Sequence, residues 1–208
     1  MASLPTLSPR AARTRTALIA AGFDLLAEKP IDAIPIDEVV ARAGVAKGSF
    51  FNHFDDKPAF ASAIAEEVRR ELEDRITAAN AGIADPLARI AGGMSVGAAF
   101  ALAEPKRTIV LLRSSASSTL TTHPLNRGLV EDMEAALAAR LVRDEARAGG
   151  VLYWLGLCQV LLANFVEELP QPDAARERLR SMLVLGLAGL GAAPERARAV
   201  ADAACPIL

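Results

Sequence analysis

The segment from Ile36 to Phe60, IDEVVARAGVAKGSFFNHFDDKPAF, restricts the folds open to this chain more than any other. Ile36, Val39, Val40 and Ala43 recur at helical spacing. Gly44 follows them, where a chain leaving a helix often takes a positive φ that glycine adopts without steric cost. Val45 is placed to plug the space between two helices. A second helix starts at Ala46 or Lys47 and ends near Phe54, with Phe50 and Phe54 four apart on one inward face. Lys47, Gly48, Ser49, Phe51, Asn52 and His53 are left for its outer face. The pattern predicts a helix-turn-helix.

The outer face has the composition of a DNA reader. Lysine and histidine can meet phosphates, while serine and asparagine can bond phosphates or base edges. Gly48 lets the backbone approach closely, and free N–H groups at that helix end favour a phosphate. Asp55 and Asp56 are candidate N-caps of the next helix, and Pro58 sits in its first turn, where proline is tolerated. Phe60, Ile64, Val68, Leu72 and Ile76 then repeat every four residues. About twenty residues of such helix span about 30 Å, and the pattern predicts a stalk over Lys57–Asn80.

With the helix over Thr14–Lys29 in front, the N-terminal part resembles the TetR/AcrR family of bacterial transcriptional regulators. The matching residues are AAGFDLLAEK (Ala20–Lys29), IDEVVARAGVAKGSFFNHF (Ile36–Phe54) and DDKPAF (Asp55–Phe60). The resemblance covers roughly the first sixty residues. It implies an all-α homodimer, with a helix-turn-helix head over residues 1–56 and a helical effector-binding and dimerisation bundle over 57–208. It also places Gly48, Ser49, Phe51, Asn52 and His53, with Lys47, against the major groove and its flanking phosphates. Lys57 falls where a phosphate is held beside the fourth helix, and Arg15 and Thr16 where the first helix touches the DNA backbone. Three positions depart from the family pattern. Phe51 replaces a tyrosine, Pro35 a capping threonine and Ala46 a serine or threonine, so each loses an oxygen.

Charge supports placement over bulk attraction. The net charge is −2. Up to residue 58 the cations Arg10, Arg13, Arg15, Lys29, Arg42, Lys47 and Lys57 are matched by Asp24, Glu28, Asp32, Asp37, Glu38, Asp55 and Asp56. Arg10, Arg13 and Arg15 form a basic arm with no acid before Asp24. This balance predicts a modest phosphate count and a modest salt slope.

The rest reads as helices between breakers: Asp85-Pro86 towards Glu104, Pro105 to about Ser114, Leu125 to Arg147 ending at Gly149-Gly150, Val151–Leu169, Asp173–Leu190 and Pro194–Ala204. Ser114–Pro124 is a polar connector. Hydrophobic residues are 52% of the chain and aromatics 4%, which suits packed helices. Val151–Val166 is apolar but short for a membrane span and carries Gln159 and Asn164, so a buried or dimer-forming helix is expected. The last two long helices lie where the family builds its dimer interface. Candidate effector-pocket residues are Met94, Phe100, Leu112, Arg113, His123, Met133, Trp154, Cys158, Leu161 and Phe165. Arg113 and His123 are the polar ones, able to orient an anionic or carbonyl group. Gly92-Gly93 inside a helix marks a kink or a pocket wall.

No phosphate-binding glycine loop, metal-ligand spacing or nucleophile elbow is present, and two histidines 70 residues apart do not make a site. The chain is read as no enzyme, with no cofactor and no metal. Cys158 and Cys205 read as reduced thiols of a cytoplasmic protein. The expected function is a dimeric repressor that binds a double-stranded operator and is released by a small lipophilic effector. The alternatives are an effector-independent DNA-binding dimer and a small-molecule binding protein whose head no longer reads DNA.

Overall fold

The computed structural model describes residues 8–113 and 121–205, and most of the polar connector expected over Ser114–Pro124 lies outside them. Ten α-helices and two short 3-10 turns, with no strand, make up the described residues. In chain order they are α1 (Pro9–Glu28), α2 (Ile36–Ala43), α3 (Lys47–Phe51), α4 (Lys57–Ala79), α5 (Pro86–Ala103), α6 (Pro105–Arg113), α7 (Arg127–Ala138), α8 (Ala146–Glu168), α9 (Pro172–Leu190) and α10 (Pro194–Ala204). The 3-10 turns are Ile31–Ala33 and Pro124–Asn126. The chain is all-α, as the sequence predicts.

These elements form two compact units. One holds the chain up to Val68 together with Ile109–Arg113, and the other holds Arg69–Thr108 together with the chain from residue 121. The division falls within α4, rather than at its start, because the first turns of α4 are part of the head's core. Phe60, Ile64 and Val68 are all buried there.

Aromatic packing organises the first unit. Phe50, Phe54 and Phe60 meet pairwise with ring centroids 4.8 to 5.6 Å apart, in tilted or edge-to-face arrangements favoured by the ring quadrupole. α1 lies close against this cluster. A Cβ on Gly22 would stand 2.2 Å from the Phe60 ring and 2.6 Å from Ile64. Gly44 has φ 67° and closes α2 in the left-handed conformation, with the Val45 N–H donating to Val40 O at 3.0 Å. Asp56, of the two candidate caps, accepts from the Ala59 N–H at 2.7 Å and starts α4. α3 stops at Phe51, three residues short of the predicted end, although the His53 and Phe54 N–H groups still donate to Phe50 O.

The second unit is built on α5, whose Leu87, Ile90, Ala91, Met94, Ala98, Phe100 and Ala101 are buried. Asp85 caps it by accepting from the Leu87 N–H. A Cβ on Gly92 would lie 2.5 Å from Asn80 Oδ1, so the glycine makes room for the Asn80 side chain, whose amide donates to Arg89 O. The helix predicted over Leu125–Arg147 is shorter and ends before Arg140, which has φ 54°. Gly149 and Gly150 lie inside α8 instead of ending a helix. Gly150 is a close-approach position, with a Cβ contact of only 3.0 Å to Met133 Sδ.

α5 and α8 are long and apolar enough to cross a membrane by length and composition. α5 is instead mostly buried within its unit, while α8 buries Val151, Trp154, Leu161, Leu162 and Phe165 and exposes Leu152, Tyr153 and Val160. One face of α8 is therefore packed and the other is uncovered.

Gly22→Ala tests the aromatic core. The added methyl meets a fully buried ring that cannot swing aside, so the head should lose about 1–3 kcal/mol despite alanine's better helix propensity. Chemical denaturation followed by circular dichroism measures this, and unchanged stability would mean that the α1–α4 contact is slack.

Candidate nucleic-acid interface

The helix-turn-helix presents its outer face as the sequence predicts. Phe50 is fully buried, whereas Lys47, Gly48, Phe51 and Asn52 are exposed and Ser49 and His53 are half-buried. Phe51 is 54% exposed and meets Phe50 edge-on, so one aromatic ring braces another that faces outward. Neither Pro35 nor Ala46 offers a side-chain cap to the helix it precedes. The Ser49 N–H donates to Ala46 O at 2.9 Å, so the start of α3 is closed by backbone rather than by a side-chain cap.

Most of the head's cations are engaged within the head. Lys47 Nζ lies 2.8 Å from Asp37 in the first turn of α2. Lys29 pairs with Glu38 at 2.7 Å, and Arg42 lies 3.8 Å from Glu28. Arg15 is 3.5 Å from Glu67 and stacks over the Phe54 ring at 5.5 Å. Lys57 Nζ donates to the carbonyls of Asp32 and Ile34, both at 3.1 Å. An ammonium has three N–H donors, so one remains for an outside acceptor. Thr16 Oγ donates back to Ala12 O within α1. Arg10 and Arg13 stand exposed on the first turns of α1 without an ion pair among the described residues.

The candidate pocket residues are not one set. Met94, Phe100, Met133, Trp154, Leu161 and Phe165 are buried in the second unit. Several have ordinary packing roles. Trp154 fills the space left by Gly186, and Phe100 lies beneath the guanidinium groups of Arg75 and Arg107 at 5.0 and 6.0 Å. Leu112 and Arg113 fall in the other unit. Arg113 donates to Leu26 O at 2.6 Å near the end of α1, where a cation suits the carbonyl end of a helix. His123 Nδ1 accepts from the Leu125 N–H and caps the Pro124–Asn126 turn.

Sequence reasoning missed the buried polar cluster of the second unit. Arg69 donates to Asn126 Oδ1 at 2.5 Å and lies 3.7 Å from Glu73. Asn126 is only 2% exposed. Burial holds the Arg69 guanidinium below its ordinary range and pushes the Glu73 carboxyl up, with the opposite charges partly offsetting both. Burial, and then the Glu73 carboxylate, push the Cys158 thiol up to about 12. The i,i+4 spacing of Arg69 and Glu73 is that of a solvated helix pair, and nothing in the sequence announced that Asn126 would cover it.

Residues 18–64 match the family described as "Bacterial regulatory proteins, tetR family". Over these residues the chain is similar to the TetR family's N-terminal region. It is 37% identical over 62 residues to the transcriptional regulator AcuR of Cereibacter sphaeroides, a match covering 30% of this chain and 28% of that one. The match therefore spans under a third of that relative's length. Along more of the chain the likeness is one of fold. A TetR-family regulator from Shewanella sp. PV-4 superposes with a TM-score of 0.74 at 17% identity, covering 85% of this chain and 97% of that one. Bacillus subtilis FadR in complex with stearoyl-CoA gives a TM-score of 0.65 at 16% identity, covering 84% of this chain and 98% of that one. The TetR head thus coincides with the helix-turn-helix described above, and α4 enters the matched region with its first two turns.

The thiols offer a check on the second unit. With a pKa of about 12, the Cys158 thiol is ionised in roughly one molecule in ten thousand at pH 8. Burial also raises Cys205. Neither should react with Ellman's reagent at pH 8 until guanidinium unfolds the chain. Rapid native labelling of Cys158 would show that α8 opens on its own.

Proposed function

We propose that this chain is a ligand-responsive transcriptional repressor that binds operator DNA as a dimer. The observation that carries the reading is the TetR head itself: a left-handed Gly44 turn presents α3 with Phe50 inward and Lys47, Gly48, Ser49, Phe51, Asn52 and His53 outward. Two such heads would occupy successive major grooves about 34 Å apart. Ser49 and Asn52 read base edges, His53 and Phe51 flank them, and Lys57 uses its remaining N–H on a phosphate. Arg10 and Arg13, with Arg15 and Thr16 behind them, supply further contacts to the DNA backbone.

The dimer is supported by an uncovered apolar patch. Leu152 and Val160 on α8 and Leu185 on α9 are each more than half exposed, and Tyr153 reaches Leu185 O at 3.5 Å. Exposed apolar surface of this kind marks an interaction site. The effector is proposed to be lipophilic, because Met94, Met133, Trp154, Leu161 and Phe165 give the second unit an apolar interior. The FadR relative with stearoyl-CoA lends this support by analogy. The effector releases DNA only through a higher affinity for the state whose heads do not fit the operator.

Two measurements test the reading. In a fluorescence-anisotropy titration at several salt concentrations, Lys57→Ala should weaken binding to all duplexes and lower the salt slope by about 1 per head. Substitution of Ser49 or Asn52 should change sequence preference instead. A protein that discriminates no duplex at any salt concentration would sink the regulator reading. Leu185→Glu should convert dimers to monomers in sedimentation velocity and abolish operator binding. Monomeric wild-type protein would remove the dimer.

A further inference from the structure

We propose that Asp37 sets the sequence selectivity of the head by holding Lys47 in an ion pair that only the right base pair releases. The inference rests on the DNA-binding reading. Asp37 is exposed in the first turn of α2, and its carboxylate lies 2.8 Å from the Lys47 ammonium at the start of α3. A second geometry between the same groups, at 3.1 Å, brings both carboxylate oxygens within reach of the lysine. Lys47 is the only lysine or arginine of the recognition helix.

The arrangement discounts generic attraction. A phosphate can recruit Lys47 only by taking it from Asp37, and it must do so against the repulsion of that carboxylate. On an arbitrary duplex the α3 lysine is therefore worth little as a counterion-releasing contact. A base pair with an amino group in the major groove changes this, because a carboxylate accepts well from the N4 amino group of cytosine. Asp37 then has a replacement partner, and Lys47 is free for the neighbouring phosphate. The pair is cheap to exchange, since exposed ion pairs contribute little to stability. The remaining cations of the helix-turn-helix proper fit the same scheme. Lys29 and Arg42 are paired with Glu38 and Glu28, outside α3, which leaves Asp37–Lys47 as the ion pair that includes a recognition-helix residue.

The experiment compares wild-type protein with Asp37→Asn and Asp24→Asn. Asp24 is exposed on α1 with no ion pair among the described residues, so its variant makes the same change in net charge away from Lys47. Binding is read by fluorescence anisotropy on an operator selected from randomised duplexes and on a scrambled duplex, across a salt series. Asp37→Asn should bind the scrambled duplex about fivefold to tenfold tighter and steepen its salt slope by about 0.9 per head. It should bind the operator no tighter, so that discrimination falls, and replacing the contacted cytosine should no longer matter to it. Asp24→Asn should change either duplex by less than twofold. Equal effects of the two variants would reduce Asp37 to bulk charge, and weaker binding of Asp37→Asn to both duplexes would make the pair structural; either overturns the proposal. Wild-type protein that selects no operator would overturn the DNA-binding reading instead. Thermal melts of all three proteins separate these outcomes from a misfolded head.

Discussion

Three phenylalanine rings hold the head together, and the remaining geometry of the reading surface follows from where they sit. Phe50 comes from the middle of α3, Phe54 from just past its end and Phe60 from the first turn of α4. Their mutual contacts fix the short recognition helix against the long one, and Gly22 lets α1 close over them. α3 has only five residues, too few to be stable by propensity. Its orientation comes from tertiary packing, and Phe51 is pushed outward because Phe50 points inward. A side chain that reaches for DNA is thus aimed by its neighbour's burial.

Electrostatics then decide how strongly that surface attracts anything. The head carries as many acids as bases up to residue 58, and Lys29, Arg42 and Lys47 are each paired with one of those acids. A protein arranged this way gains little from DNA as a uniform polyanion, and its affinity rests on a few contacts at set positions. The missing oxygens at Pro35, Ala46 and Phe51 push in the same direction. Lys57 illustrates the compromise, since two of its three donors hold the backbone before α2 and one is left to face outward.

The head was legible because its signals are local. The glycine after Ala43, the apolar spacing of α2, the Phe50–Phe54 pair and the aspartates before α4 each specify a conformation over a few residues. The second unit was legible only in outline. Four helices start at Pro86, Pro105, Pro172 and Pro194, and proline is a strong signal there. Its glycines misled. Gly150 read as a stop, yet it lies inside α8 and is small beside Met133, and the absence of a side chain at Gly92 admits Asn80 from just past α4. Arg113 and His123 read as ligand-orienting groups, but each caps backbone nearby. The Arg69–Asn126 bond joins residues 57 positions apart, and such pairings leave no trace in local spacing.

Asn80 sits just beyond the last turn of α4, with its carboxamide in the notch that Gly92 leaves on α5 and its amide bonded to Arg89 O. One helical turn is about 5.4 Å, and sliding α4 by that amount along α5 would pull Asn80 out of a notch only one glycine wide. Translation at this end is therefore opposed by shape, and the single missing Cβ at Gly92 keys the end of α4 to one register on α5.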